Sequence, residues 1–133
     1  MGKFLRICFG CHGRPDRSFF LRGKQFPICA RCTGELIGIF AGIPIFILLG
    51  CPKPLIVFLL MVPLIFDGFL QQLTSYESGN IRRLITGFLF GTALVFCFIY
   101  FHRFCVQLAA MVLSHYIEDQ DKLNKAVDLF LLK

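Results

Sequence analysis

The segment that organises the chain runs from Cys8 to Cys32 and reads CFGCHGRPDRSFFLRGKQFPICARC. It holds two Cys-x-x-Cys pairs, with 17 residues between Cys11 and Cys29. Two such pairs at this separation are typical of zinc sites, because two thiolates three residues apart can grip one cation and a second pair completes a tetrahedral shell. The spacing therefore predicts a metal centre built from Cys8, Cys11, Cys29 and Cys32, with His12 as an alternative to one sulfur.

The four thiols are also compatible with other chemistry. An iron–sulfur cluster accepts four cysteines as readily as zinc does. A thiol–disulfide redox pair is a further alternative, because the basic residues Arg14 and Arg31 favour the thiolate form of neighbouring cysteines. A structural disulfide pair is disfavoured if the segment faces the cytosol, where thiols are kept reduced.

The composition predicts that the remainder of the chain is embedded in a membrane. Of the 133 residues, 56% are hydrophobic, against roughly 45–50% in soluble domains. Three apolar runs, 33–51, 54–75 and 84–101, are each long enough to cross a bilayer core. We therefore predict an all-α membrane protein with about three transmembrane helices, a small N-terminal metal-binding cap and a C-terminal amphipathic helical tail.

These features divide the chain into three parts. Residues 1–32 form the N-terminal cap, residues 33–103 the transmembrane bundle and residues 104–133 the tail. Apolar residues of the tail recur at helical spacing on one face, which is typical of amphipathic helices. Only about ten residues, 104–113, are largely apolar, so we expect the tail to pack on the bundle or lie in the interface.

Glycines recur every four residues in two of the apolar runs. Gly34, Gly38 and Gly42 share one helical face, and Gly87 and Gly91 share another. Small residues at this spacing let membrane helices approach closely, so we expect these glycines at helix–helix contacts. The oligomeric state stays open, and a homo-oligomer is compatible with the pattern.

The distribution of basic residues predicts the orientation of the chain. The formal net charge is +6, and half of the 14 Lys and Arg precede residue 33. Beside a membrane, such a segment indicates topology or contact with anionic lipid rather than nucleic acid. The positive-inside rule places residues 1–32 and the turn at 76–83 in the cytosol. We therefore expect a multi-pass cell-membrane protein with a cytoplasmic N-terminus.

Asp67 stands near the polar end of the second apolar run. A charge at helix depth costs at least roughly 2.5 kcal/mol, so it needs a partner or a watery cavity. Arg82 or Arg83, just beyond the connecting turn, is the expected partner. The pattern fits a structural ion pair between two helices or a polar pocket at the cytosolic face. The residues predicted to form this pocket are Arg17, Arg31, Asp67, Gln71, Glu77, Asn80 and Arg83.

Three separated motifs resemble the DUF2085 family of small prokaryotic membrane proteins. They are CHGRPDRSFFLRGKQFPICARCTG at 11–34, DGFLQQ at 67–72 and ESGNIRRLITG at 77–87, in that order. The resemblance covers roughly residues 7–91 and implies an architecture and a candidate site rather than an activity. It emphasises the Cys11–His12 pair over Cys8, which favours His12 as the fourth ligand.

Together these features predict a protein whose metal-stabilised cap covers a polar intramembrane pocket. The expected function is to bind or move an anionic lipid headgroup or a small anion, because the planar fork of arginine suits phosphate. Membrane lipids are the expected partners and zinc the expected cofactor. Two alternatives stay open, a membrane-embedded metal-dependent enzyme acting on a lipid and a thiol or metal redox protein. Whether the chain is an enzyme is left undecided.

Overall fold

The computed structural model describes residues 2–116 and 120–131. In chain order the elements are α1 (Gly2–Cys8), a 3-10 turn (Pro15–Arg17), β1 (Phe20–Leu21), β2 (Lys24–Gln25), α2 (Ala30–Leu49), α3 (Pro54–Leu73), α4 (Asn80–Ser114) and α5 (Gln120–Phe130). Helices α2, α3 and α4 are long and apolar enough to cross a membrane. The predicted class, an all-α membrane protein with about three spanning helices, a cysteine cluster near the N-terminus and a C-terminal helix, is confirmed.

The most extensive helix contact joins α2 to α4, which run in the same direction. Glycines make this contact possible. A Cβ atom at Gly34 would collide with the carbonyl of Leu84, and one at Gly91 would collide with the carbonyl of Glu35. The two backbones therefore touch directly, as the four-residue spacing of the glycines predicts.

Helix α3 packs antiparallel against the other side of α4. A small apolar core joins them, formed by Val57 of α3 with Ala93, Phe96 and Ile99 of α4. Most of the remaining surface of α3 is exposed and apolar, as expected for a helix that faces lipid. Helix α4 is thus the central element of the bundle.

Helix α4 is longer than the sequence predicts. The apolar pattern predicts an end at His102-Arg103, yet the helix continues to Ser114. No glycine or proline interrupts this stretch, so nothing in the backbone stops the helix where the side chains become polar. Its 35 residues span about 52 Å, against about 30 Å for a hydrocarbon core.

Helix α5 folds back along the far end of α4. Leu123 is buried in this contact, and the His102 ring lies 3.1 Å from the carbonyl oxygen of Phe130. The described part of the predicted tail therefore packs on the bundle. Residues 117–119 and 132–133 of that tail lie outside the described residues.

The N-terminal cap is organised by a short antiparallel hairpin, β1 paired with β2. Its turn places Arg22 and Gly23 at φ 52° and 75°, a left-handed pair that suits a two-residue hairpin loop. Gln25 then donates hydrogen bonds to the carbonyl of Gly13 at 2.8 Å and to the hydroxyl of Ser18 at 3.2 Å. The hairpin is thereby tied to the loop that carries Cys11.

Candidate metal centre and arginine-lined cavity

Three cysteines converge where the cap meets α2. The Sγ atoms of Cys11, Cys29 and Cys32 lie within 4.8 Å of one another, and those of Cys29 and Cys32 are 3.4 Å apart. Zinc binds thiolates at about 2.3 Å in tetrahedral geometry, which sets its sulfur ligands about 3.8 Å apart. The three sulfurs are therefore spaced so that small shifts would let them hold one such ion.

Local backbone geometry accounts for this convergence. Cys29 is the N-cap residue of α2, so Cys32 lies in the first turn of the same helix. Positive φ angles at Gly10 and Gly13 curve the preceding loop around Cys11. The backbone N–H of Cys29 then donates to the Cys11 sulfur at 3.2 Å. A hydrogen bond from the Cys32 thiol lowers the pKa of Cys29 to about 5, because it favours the thiolate.

Two of the five predicted ligands stay apart from this group. Cys8 is exposed at the last residue of α1, and its thiol does not join the three that cluster. The exposed His12 does not join them either, although it lines the adjoining cavity. In the first Cys-x-x-Cys pair, Cys8 ends α1 and Cys11 lies in the loop that follows. In the second pair, both cysteines lie at the start of α2. Cys8 and Cys11 therefore do not form the matched knuckle that their spacing predicts.

Asp67 is fully buried beneath this centre. Its Oδ2 atom accepts hydrogen bonds from Arg31 at 2.5 Å, from Gln71 at 2.7 Å and from Ser78 at 3.2 Å. Its Oδ1 atom lies 3.3 Å from Nε of Arg82, an ion pair without hydrogen-bond alignment. Asp67 thus joins the start of α2 to the start of α4.

Arg83 belongs to the same cluster but does not pair with Asp67 directly. It is buried, and its guanidinium donates to the Ser78 hydroxyl at 3.1 Å and to the Gln71 amide oxygen at 3.3 Å. Within the described residues no ion pair links it to a carboxylate. Of the two arginines expected beside Asp67, Arg82 makes the direct contact and Arg83 reaches it through neutral groups. Successive helical residues diverge by about 100°, so both cannot point the same way.

A cavity of about 310 Å³ separates the cysteines from this polar cluster. Its lining combines the three clustered thiols with basic and neutral polar side chains, and none of its lining residues is an Asp or Glu. The lining residues are Gly10, Cys11, His12, Gly13, Arg14, Arg17, Cys29, Arg31, Cys32, Gln71 and Arg83. The part of the cavity wall outside the thiols is therefore strongly cationic.

The rim of the cavity continues into a second, open hollow of about 580 Å³. Glu77 lines this hollow and accepts a hydrogen bond from Arg17 at 2.8 Å. Asn80, also predicted for the pocket, instead donates to the carbonyl of Ser18 at 3.5 Å and ties α4 to the cap. Asp67 lines neither space.

Two arginine nitrogens at this site have unsatisfied hydrogen-bonding capacity. The Nε atoms of Arg17 and Arg31 are buried and have no hydrogen-bond partner in the described part of the chain. Asp16 approaches the first of them at 3.5 Å, beyond good hydrogen-bond geometry. Buried donors of this kind are costly unless a partner satisfies them.

Three residues that contribute to the site are absent from the set predicted to form the pocket, although Arg82 is one of the two arginines expected beside Asp67. Arg14 lines the cavity, Arg82 contacts Asp67, and Ser78 joins Asp67, Gln71 and Arg83 through its hydroxyl. Ser78 lies inside the ESGNIRRLITG motif, so its place in that motif was the available signal. Nothing about Arg14 distinguishes it in sequence from the other basic residues of the cap.

Comparison with known proteins agrees with this architecture. The family model described as "Predicted membrane protein (DUF2085)" matches residues 11–97. A protein from Methanothermobacter thermautotrophicus is 37% identical over 87 residues, covering 62% of this chain and 78% of that protein. A protein from Methanocaldococcus jannaschii is 34% identical over 106 residues, covering 71% and 68% respectively. No solved structure matches. The chain therefore belongs to the DUF2085 family of predicted membrane proteins.

Proposed function

We propose that this membrane protein binds a phosphate-type oxyanion in the arginine-lined cavity beneath its N-terminal cap. The ligand is either the phosphate of an anionic lipid headgroup or a free phosphate anion. Zinc bound by Cys11, Cys29 and Cys32 would hold the cap in place. Binding, and not a chemical reaction, is the activity that we assign to the cavity.

The buried guanidinium of Arg83 carries this proposal. A buried charge is costly unless a counter-ion compensates it, and its only hydrogen-bond partners among the described residues are the neutral Ser78 and Gln71. It lines the cavity together with Arg14, Arg17 and Arg31. A phosphate group would supply the missing negative charge and accept bidentate hydrogen bonds from such side chains.

The position of the cavity supports a lipid source for that phosphate. It lies between the cap and the polar end of α3, where a spanning helix leaves the bilayer core. Helix α1, on the same side, exposes Phe4 and Ile7 alongside Lys3 and Arg6, a pattern that suits the membrane interface. A lipid phosphate would therefore lie at the depth of the cavity mouth.

The test is calorimetric titration of inorganic phosphate into the full chain in nanodiscs of neutral phosphatidylcholine. Arg14→Gln and Arg83→Gln should each weaken binding about 10-fold or more, because a hydrogen bond to a charged group contributes roughly 1.5–3 kcal/mol. Arg22→Gln is the matched control, because Arg22 is exposed in the β1–β2 turn and does not line the cavity.

Two results would contradict the proposal. The first is wild-type protein that binds neither inorganic phosphate nor phosphatidic acid introduced into the discs. The second is equal binding by the Arg14, Arg83 and Arg22 variants. Arg14 is exposed, so the fold of its variant should survive even if Arg83→Gln does not fold. Competition between phosphatidic acid and inorganic phosphate identifies the source of the ligand.

A second candidate function is thiol–disulfide exchange at Cys29 and Cys32. Their sulfurs are 3.4 Å apart at the N-terminus of α2, within reach of a disulfide after a small movement. Two thiols would lose two protons and two electrons to a partner disulfide, which would leave as two thiols. A metal-free native protein with reversible exchange at this pair would favour this candidate over zinc.

A further inference from the structure

We infer that the metal held by Cys11, Cys29 and Cys32 presents its fourth coordination position to the arginine-lined cavity, where an oxygen of the bound phosphate completes the shell. This inference rests on the proposed function and adds to it the chemical class of the ligand. The ligand would be a phosphate, or a phosphate monoester of a lipid, with an unesterified oxygen free to coordinate metal.

The three cysteines supply one ligand fewer than a closed zinc site requires. Structural zinc sites use four protein ligands, whereas sites that bind water or another small ligand keep three and leave the fourth position open. Among the described residues, no fourth His, Cys, Asp or Glu joins the three thiols. The donor set is therefore that of an open site.

The open coordination position would face the arginine-lined cavity. All three cysteines line the same cavity, so a ligand in that space can approach the ion that they hold. On the protein side, the backbone N–H of Cys29 points at the Cys11 sulfur, and Cys32 is buried in the first turn of α2. The accessible approach is thus from the cavity.

The charges around the metal centre favour an oxyanion in this position. Three thiolates and one Zn²⁺ carry a net charge of −1, which by itself disfavours a second anion. Arg31 and Arg17 are paired with Asp67 and Glu77, but Arg14 and Arg83 make no ion pair among the described residues. Two guanidinium groups without a direct carboxylate partner line the cavity wall, where they offset the charge of the thiolate centre and leave a net attraction for an oxyanion.

The cavity wall also offers hydrogen-bond donors to such an oxyanion. One phosphate oxygen on the metal leaves the others free to accept hydrogen bonds. Four arginines line the cavity and supply the donors nearest to these oxygens: Arg14, Arg17, Arg31 and Arg83. A metal-bound phosphate would therefore accept hydrogen bonds from several of these arginines at once, whereas a single metal-bound water molecule has too few acceptor sites to do so.

The test uses the Co²⁺-substituted full chain in phosphatidylcholine nanodiscs, because the visible bands of Co²⁺ report its ligands. Adding inorganic phosphate should shift these bands, and the shift should saturate at the phosphate concentration found by calorimetry. Phosphorus-31 resonance should broaden as expected for direct coordination. Arg14→Gln should move the midpoint of the shift about 10-fold higher without changing the final spectrum. Arg22→Gln should leave the midpoint unchanged.

Each contrary result has a distinct meaning. Phosphate that binds by calorimetry without altering the cobalt spectrum would overturn this inference and leave the proposed function standing. A chain that takes up no cobalt would do the same. Absence of binding for both inorganic phosphate and phosphatidic acid would overturn the inference and the proposed function together. A spectrum that changes in His12→Ala before any phosphate is added would assign the fourth position to His12 and overturn the inference.

A lipid arm identifies the source of the phosphate. If phosphatidic acid in the discs produces the shifted cobalt spectrum without added phosphate, the ligand is a lipid phosphate monoester. If only inorganic phosphate produces it, the ligand is the free anion. Either result supports direct coordination, because the coordinating group is the same.

Discussion

Cys29 couples the candidate metal centre to a membrane helix. It is the N-cap of α2, and serine is a better helix cap than most residues. Cys29→Ser should therefore leave the start of the helix intact while removing one metal ligand. We expect purified wild-type protein to carry about one zinc per chain and the Cys29→Ser protein to carry none. Its cap should also unfold more easily, because apparent zinc-binding free energies of roughly 10–16 kcal/mol contribute to folding in small metal modules.

Cys8→Ser is the matched control for this measurement. Cys8 is exposed and lies outside the group of clustered thiols, so its loss should change neither metal content nor thermal stability. Elemental analysis and thermal unfolding of the three proteins check both statements. Equal zinc loss in the two variants would contradict the three-sulfur site and favour the four-sulfur shell that the Cys-x-x-Cys spacing predicts.

At the scale of single residues, the sequence predicts that a buried charge meets an opposite charge, but it does not identify the partner. A lone carboxylate near the end of an apolar run had to meet a cation, and Asp67 does. Its closest partner, Arg31, lies 36 positions away along the chain, however, and no local pattern links the two. That pairing depends on the close approach of α2 to α4, which is a property of the bundle.

At the scale of elements, the glycine face between α2 and α4 controls that approach. A methyl group at Gly91 would meet the backbone of Glu35, which cannot move aside as a flexible side chain can. We expect Gly91→Ala to force the helices apart and to lower thermal stability in detergent, because overpacking typically costs about 1–3 kcal/mol. The separation should also weaken the contact between Arg31 and Asp67.

Gly68→Ala is the matched control on α3. A Cβ atom there would meet nothing within 4 Å. Alanine is also the better helix former, by up to about 1 kcal/mol. This variant should be at least as stable as the wild type. Comparable losses in both variants would show that the glycines matter for backbone freedom and not for helix contact.

Element ends illustrate what hydropathy alone leaves undetermined. The three spans follow directly from apolar runs, because length and composition decide membrane insertion. The hairpin at Arg22-Gly23 and the extension of α4 to Ser114 do not follow from them. The hairpin depends on the φ angles of its turn residues, and α4 continues because nothing interrupts its backbone. Neither property can be predicted from the apolar content of the sequence.

At the scale of the whole molecule, the direction of the three spans brings the functional groups together. Helix α2 starts where α3 ends and α4 begins, so the cap, the polar cluster around Asp67 and the cavity share one end of the bundle. The number of spans in the sequence predicts that the start of the first, the end of the second and the start of the third lie on the same side of the membrane. It cannot predict the three-sulfur arrangement, because that depends on how α1 ends before the loop reaches Cys11.

The orientation of the molecule is the last prediction. Seven of the 14 Lys and Arg lie in the first 31 residues, and the positive-inside rule places such a segment in the cytosol. We propose testing this with Lys3→Cys and Tyr116→Cys, which mark opposite ends of the bundle, in a chain whose four cysteines outside the cluster are replaced by alanine: Cys8, Cys51, Cys97 and Cys105. The same chain without an added cysteine reports any reaction of the three clustered thiols.

An impermeant maleimide applied to intact cells should label Tyr116→Cys and leave Lys3→Cys unreacted until the cells are permeabilised. The expected orientation keeps the three clustered thiols in a reducing compartment, which metal binding by free thiolates requires. Rapid labelling of Lys3→Cys in intact cells would reverse the orientation. The same three sulfurs would then face an oxidising environment, in which a disulfide between Cys29 and Cys32 becomes the favoured state and the arginine-lined cavity opens to external anions.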